Sequence, residues 1–123
     1  MPNKPEIMRF VRSTFRSVWS IELLCFLRKH PERRWSPSEL VAALRASDLI
    51  VSQSLAALTA AGLVVIGEDK MAQYRPASDA LDRLASAAEA EYARSPDAVR
   101  RIIVDSNSTG LTAFANAFRL RGD

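Results

Sequence analysis

Apolar residues recur along this chain at helical spacing, interrupted by two short β-branched or aromatic stretches. A first helix is predicted over residues 6–16, with Met8, Val11 and Phe15 on one face and Arg9, Arg12 and Arg16 as a stripe on another. Pro2 and Pro5 read as a short extended lead before it. Residues 18–27 are apolar almost all round, the pattern of a central, buried helix. Arg28, Lys29 and His30 complement the dipole at its end, and Pro31 stops it. Glu22 interrupts that run and is expected at a solvent edge or paired with a nearby arginine.

Residues 33–35 fit a very short strand. In SPSEL, Ser36 is an N-cap, Pro37 suits the first helical position, and Glu39 completes a capping box. That helix turns Leu40, Val41 and Leu44 inward and ends near Arg45. Ser47 caps the next helix, Asp48 occupies its first turn, and Gly62 terminates it in the left-handed region. Residues 63–66 and 71–75 read as two strands joined by a turn at 67–70, with Pro76 ending the hairpin. Ser78 caps a long helix to about Arg94, carrying Leu81, Leu84, Ala85 and Ala88. Ser95-Pro96-Asp97 restarts another with Val99, Ile102 and Ile103. After a polar turn at 105–110, a last helix places Leu111, Phe114, Ala115 and Phe118 on one face.

The expected fold class is therefore mainly α with a small β-hairpin. The length of 123 residues favours a single domain, 1–123. Its core would be residues 17–76, and residues 78–123 would supply helices for packing or dimerisation.

The segments RRWSPSELVAAL and ASDLIVSQSLAALTAAGLV, with the hairpin through YRPAS, run in the order short strand, helix, turn, helix, two-strand wing. Together they resemble a winged helix-turn-helix. LAALTAAGLV in particular is similar to the end of the third helix and start of the wing in MarR-like bacterial regulators. The resemblance covers residues 17–76. It implies a transcriptional regulator that binds double-stranded DNA, with the helix after Ser47 in the major groove and the wing beside a phosphate strand. It also implies a homodimer formed through the terminal helices.

Charge complicates that picture. The net charge is +3, but residues 1–45 carry nine Lys/Arg against four Asp/Glu, whereas residues 46–93 carry three against seven. No Lys or Arg lies between Ala46 and Asp69. With Val51, Leu55 and Leu58 inward, the opposite helix face shows Leu49, Gln53, Ala56 and Ala60, flanked by Ser52 and Ala57. Gln53 suits bidentate contact with adenine, and Ser47, Ser52 and Ser54 suit bases or phosphates. Phosphate contacts are then expected from Arg9, Arg12, Arg16, Arg33, Arg34, Arg45, Lys70 and Arg75. Each of these cations has a simple alternative as a solvated or salt-bridged surface residue. A second function reading uses the uncharged face itself, with Leu49, Ala56 and Ala60 docking a protein partner.

Other chemistry is sparse. His30 stands alone, without Cys or acid at metal-ligand spacing. The serines have no histidine to activate them, and the four glycines form no phosphate-cradling loop. No catalysis, cofactor or metal is expected. Cys25 reads as a small buried hydrophobe, and Trp19 and Trp35 as core or strand anchors. No apolar run reaches the ~18 residues of a membrane span. The segment MPNKPEIMRF lacks the apolar stretch of a secretory signal, so a cytoplasmic location is expected. The terminal RGD reads as a coincidence of helix-end charge.

Overall fold

The computed structural model describes residues 2–106. They form a mainly helical fold with one small antiparallel sheet: α1 (Lys4–Thr14), α2 (Val18–Lys29), α3 (Pro37–Leu44), α4 (Asp48–Ala60), β1 (Val64–Ile66), β2 (Ala72–Tyr74) and α5 (Asp79–Arg94). A further helix, α6, spans residues 96–106. The expected helix carrying Leu111, Phe114, Ala115 and Phe118 lies outside the described residues.

Capping sets most of these boundaries. The Ser36 hydroxyl accepts from Glu39 N–H at 3.2 Å while Glu39 accepts from Ser36 N–H at 2.8 Å, the reciprocal pair expected of a capping box. Ser47 and Ser78 accept from Ile50 and Leu81 N–H, each at 3.1 Å. Gly62 takes a φ of 79°, a conformation in which a Cβ is strained.

The N-terminus departs from expectation. Asn3 and Glu6 form a further capping box, so α1 begins at Lys4 and Pro5 sits inside its first turn. Proline is tolerated there because the first helical N–H groups have no intrahelical acceptor. The inward face is consequently Ile7, Phe10, Val11 and Thr14, with Met8 only half-buried. Phe15 is buried as the C-cap residue, and Arg16 falls in the turn after the helix rather than on the Arg9–Arg12 stripe.

The hairpin pairs Val64 with Tyr74, Val65 with Gln73 and Ile66 with Ala72. Of the stretch 33–35, only Trp35 pairs. Its N–H and carbonyl exchange two 2.8 Å bonds with Ala72, which places it on the far side of β2 from β1.

α2 and α3 both pack on α4, and α1 packs on α5. A continuous core joins Ile21, Leu24 and Leu27 of α2 to Leu40, Val51, Leu55 and Leu58, and reaches Leu63 and Ala72 at the sheet. Burial of this apolar surface is the main force holding the helices together. Polar clamps fix α5 against the rest. Tyr92 donates to Glu22 at 2.6 Å, Tyr74 donates to Asp82 at 2.6 Å, and Arg28 pairs with Glu89. Glu22 thus meets a tyrosine hydroxyl rather than an arginine partner. Glu91 is only 1% exposed and pairs with Arg94 and with Lys4 of α1.

No single helix among the described residues is long and apolar enough to cross a membrane.

Candidate nucleic-acid interface

α3 and α4 are joined by Arg45, Ala46 and Ser47, and their axes bend by 111°. The turn is this short because Arg45 adopts the left-handed region, φ 54° and ψ 41°, and redirects the chain at once. Val51, Leu55 and Leu58 anchor α4 from beneath, as the sequence pattern predicts. The opposite face exposes Ser52, Gln53, Ala56 and Ala60. Leu49 stands out near the N-terminus of α4 at 65% exposure.

Ser54 is a correction. It is 4% exposed and lies on the inner face, three residues from Val51, so it is removed from the candidate contacts. Ser47 remains exposed, but its hydroxyl is occupied in capping Ile50.

The candidate cations divide into three groups. Arg33 and Arg34 are engaged by the protein itself. Arg33 bonds Glu39 at 2.7 Å and lies 3.6 Å over the Trp35 ring, a cation–π contact. Arg34 bonds Asp69 at the hairpin tip at 2.6 Å. The acids they meet are held below the usual carboxylate range: Glu39 first by the Ser36 N–H and then by Arg33, Asp69 first by the Met71 N–H and then by Arg34. Gly67 permits the second contact, because a Cβ there would stand 2.7 Å from the Arg34 guanidinium.

The second group is Arg45, Lys70 and Arg75, all exposed. Arg45 lies before α4, Lys70 at the hairpin tip with φ 70°, and Arg75 just after β2. All three thus flank α4 and the hairpin with exposed side chains.

The third group belongs to α1 and the turn after it. Arg16 lines a groove of about 510 Å³ together with Ser13, Thr14, Gln53, Ala56, Ala57, Ala60 and Ala61. The end of α1 thus forms one wall of a groove whose floor is the C-terminal half of α4. The structure brings Arg16, Gln53, Ala56 and Ala60 together, although the sequence reading assigned them to two rival sites. Arg9 lines a second, more open groove between α1 and α5 with Glu6, Phe10, Ser13 and Leu84. Arg12 is exposed on α1. Ser13 and Thr14 were missed because only long-range packing sets them beside α4, and no local motif marks that.

Cys25 is half-buried and its thiol is pushed up to about 12, chiefly by burial and then by Glu89 and Glu22. It stays protonated at neutral pH, the condition of an unreactive thiol. Trp35 is buried as an anchor against Phe26, whereas Trp19 is 37% exposed and is not a core residue. Among the described residues no group of three or more His, Cys, Asp or Glu side chains is placed to hold a metal ion. Comparison of the chain with protein-family models, with curated proteins and with solved structures finds no match.

Proposed function

We propose that residues 17–76 form a winged helix-turn-helix that binds double-stranded DNA and acts in transcription regulation. The observation that carries this reading is the 111° bend of α3 against α4 across a three-residue turn, with α4 exposed on the face away from its Val51–Leu55–Leu58 anchor. Paired helices at about 90–120° are the geometry that presents a second helix to a major groove. The Trp35–Ala72 bridge supports the assignment, since it ties the segment before α3 to the hairpin after α4.

In this arrangement the N-terminal half of α4 leads into the groove. Ser52 and Gln53 are its polar base-reading side chains. Arg45, Lys70 and Arg75 hold phosphates on either side. Arg33 and Arg34 join them only by exchanging Glu39 and Asp69 for phosphate oxygens. Affinity then rests mainly on backbone contacts, and sequence discrimination is modest. Homodimerisation through the helices after the hairpin belongs to the same reading, and Val104 on α6 is 53% exposed.

Anisotropy of a labelled random duplex tests this. Arg45→Ala, Lys70→Ala and Arg75→Ala are each expected to weaken binding to all sequences about equally. Unchanged affinity in all three would overturn the arrangement.

One observation favours a second reading. Leu49 projects at 65% exposure from the first turn of α4, which suits an adaptor that seats a protein partner around Leu49, Ala56 and Ala60. Retained capture of such a partner by Leu49→Asp would count against that face.

A further inference from the structure

The outward face of α4 has a composition that distinguishes one class of base pair from another. Leu49, Ser52, Gln53 and Ala56 follow one another at helical spacing and are all exposed, Leu49 at 65%. Val51, Leu55 and Leu58 hold the opposite side in the core, which fixes the rotation of the helix. The end of α1 borders the C-terminal half of α4 across the groove lined by Arg16, Ala60 and Ala61. Leu49 to Ala56 is therefore the stretch that leads into a major groove. It spans roughly 11 Å, or about three base pairs at ~3.4 Å each.

What this stretch can recognise follows from the base edges. Guanine presents two acceptors, which are met by Arg or Lys, and cytosine presents an amino donor, which is met by Asp or Glu. The face from Leu49 to Ala56 carries no charge of either sign. Asp48 is the nearest acid and lies about 100° round the helix from Leu49, on the flank. Arg45, Lys70 and Arg75 flank the face as well, so the uncharged strip meets base edges while the cations meet phosphates. Adenine presents an acceptor beside an amino donor, which one Gln amide meets with two bonds. Thymine carries a C5 methyl, an apolar target in an otherwise polar groove. Gln53 matches the first and Leu49 the second. Packing Leu49 on that methyl removes apolar surface from water on both partners.

We propose that α4 selects A·T pairs, with Leu49 packed on a thymine methyl and Gln53 bonded to a nearby adenine. Leu49 is then a specificity-determining residue of the DNA site rather than the anchor of a protein partner. The assignment rests on the DNA-binding reading above. Leu49 and Gln53 stand roughly 6 Å apart along the helix, so the two bases lie within about two base-pair steps.

The test is selection from a pool of short random duplexes at low salt, followed by exchange of thymine for uracil in the enriched duplexes. These are expected to share A·T pairs at the contacted positions. Uracil differs from thymine only in lacking the methyl. Exchange at the contacted thymine should weaken binding about fourfold, the contribution of one buried methyl. Leu49→Ala, a change at an exposed position, should bind the unselected pool as the parent does and lose the response to uracil. Gln53→Ala should keep that response and lose the preference for adenine. Three results overturn the assignment while the DNA-binding reading stands: pool binding without enrichment, enrichment of G·C pairs, or a uracil response equally large in Leu49→Ala. No binding of the pool at low salt overturns both, and returns Leu49 to the adaptor reading.

Discussion

Gln53 carries the longest polar side chain on the exposed face of α4. If it reads a base, Gln53→Ala should cost roughly 1–3 kcal/mol of discrimination at one base pair while leaving affinity for random duplex nearly unchanged. Competition binding with substituted duplexes measures both. Ser47 has a structural task that can be separated from this. Its hydroxyl caps Ile50, so Ser47→Ala should lower stability by about 1 kcal/mol in a urea titration. Cys25 and Tyr74 also make stability depend on alkaline pH. Burial pushes the Cys25 thiol from 9.0 to about 12, and burial with the Asp82 bond pushes the Tyr74 hydroxyl from 10.0 to about 12. Both shifts are upward, so the unfolded chain loses these protons first. Their stabilisation is complete below pH ~9 and falls away between ~9 and ~12. Urea unfolding across that range should show the decline, and Cys25→Ala should make it shallower. The serine caps were readable because a capping box is a local pattern. The burial of Glu91 was not, because Lys4 meets it and its side chain is covered only after α1 packs on α5, whereas Arg94 is a local i,i+3 partner.

Helix ends carried most of the recoverable information. Ser36, Ser47, Ser78 and Gly62 marked three helices and a terminator to within a residue or two. Gly62 is the sharpest of these. At φ 79° a side chain is strained, and a Cβ would also touch Ala77 and Leu81 at 3.4 Å. Gly62→Ala should therefore cost about 1–2 kcal/mol, read as a lower urea midpoint with the slope unchanged. Leu58, fully buried in α4, should cost more. Leu58→Ala removes core contacts from the helix that presents the candidate site, at roughly 2–5 kcal/mol. α1 was misjudged because Pro5 was read as a break when it occupies a first-turn position. That shift of two residues changed which side chains face inward and moved Arg16 off the helix. The strand at 33–35 shrank to Trp35 because only its backbone meets β2.

Assembly of the helices created what no segment showed alone. The α1–α4 groove unites Arg16 with Gln53, Ala56 and Ala60, and the Arg33 and Arg34 pairs turn two expected phosphate ligands toward the protein's own acids. Exposed ion pairs of this kind are worth at most about 1 kcal/mol, so a phosphate can compete for both arginines. The balance between those pairs and DNA is set by salt, which makes salt the most direct probe of the proposed function. Binding to random duplex should be measurable at low ionic strength. Its logarithm should fall against log salt concentration with a slope of roughly −3 or steeper, since Arg45, Lys70 and Arg75 would each contribute about 0.9. No binding at low salt, or a slope near zero, would contradict DNA as the ligand of α4.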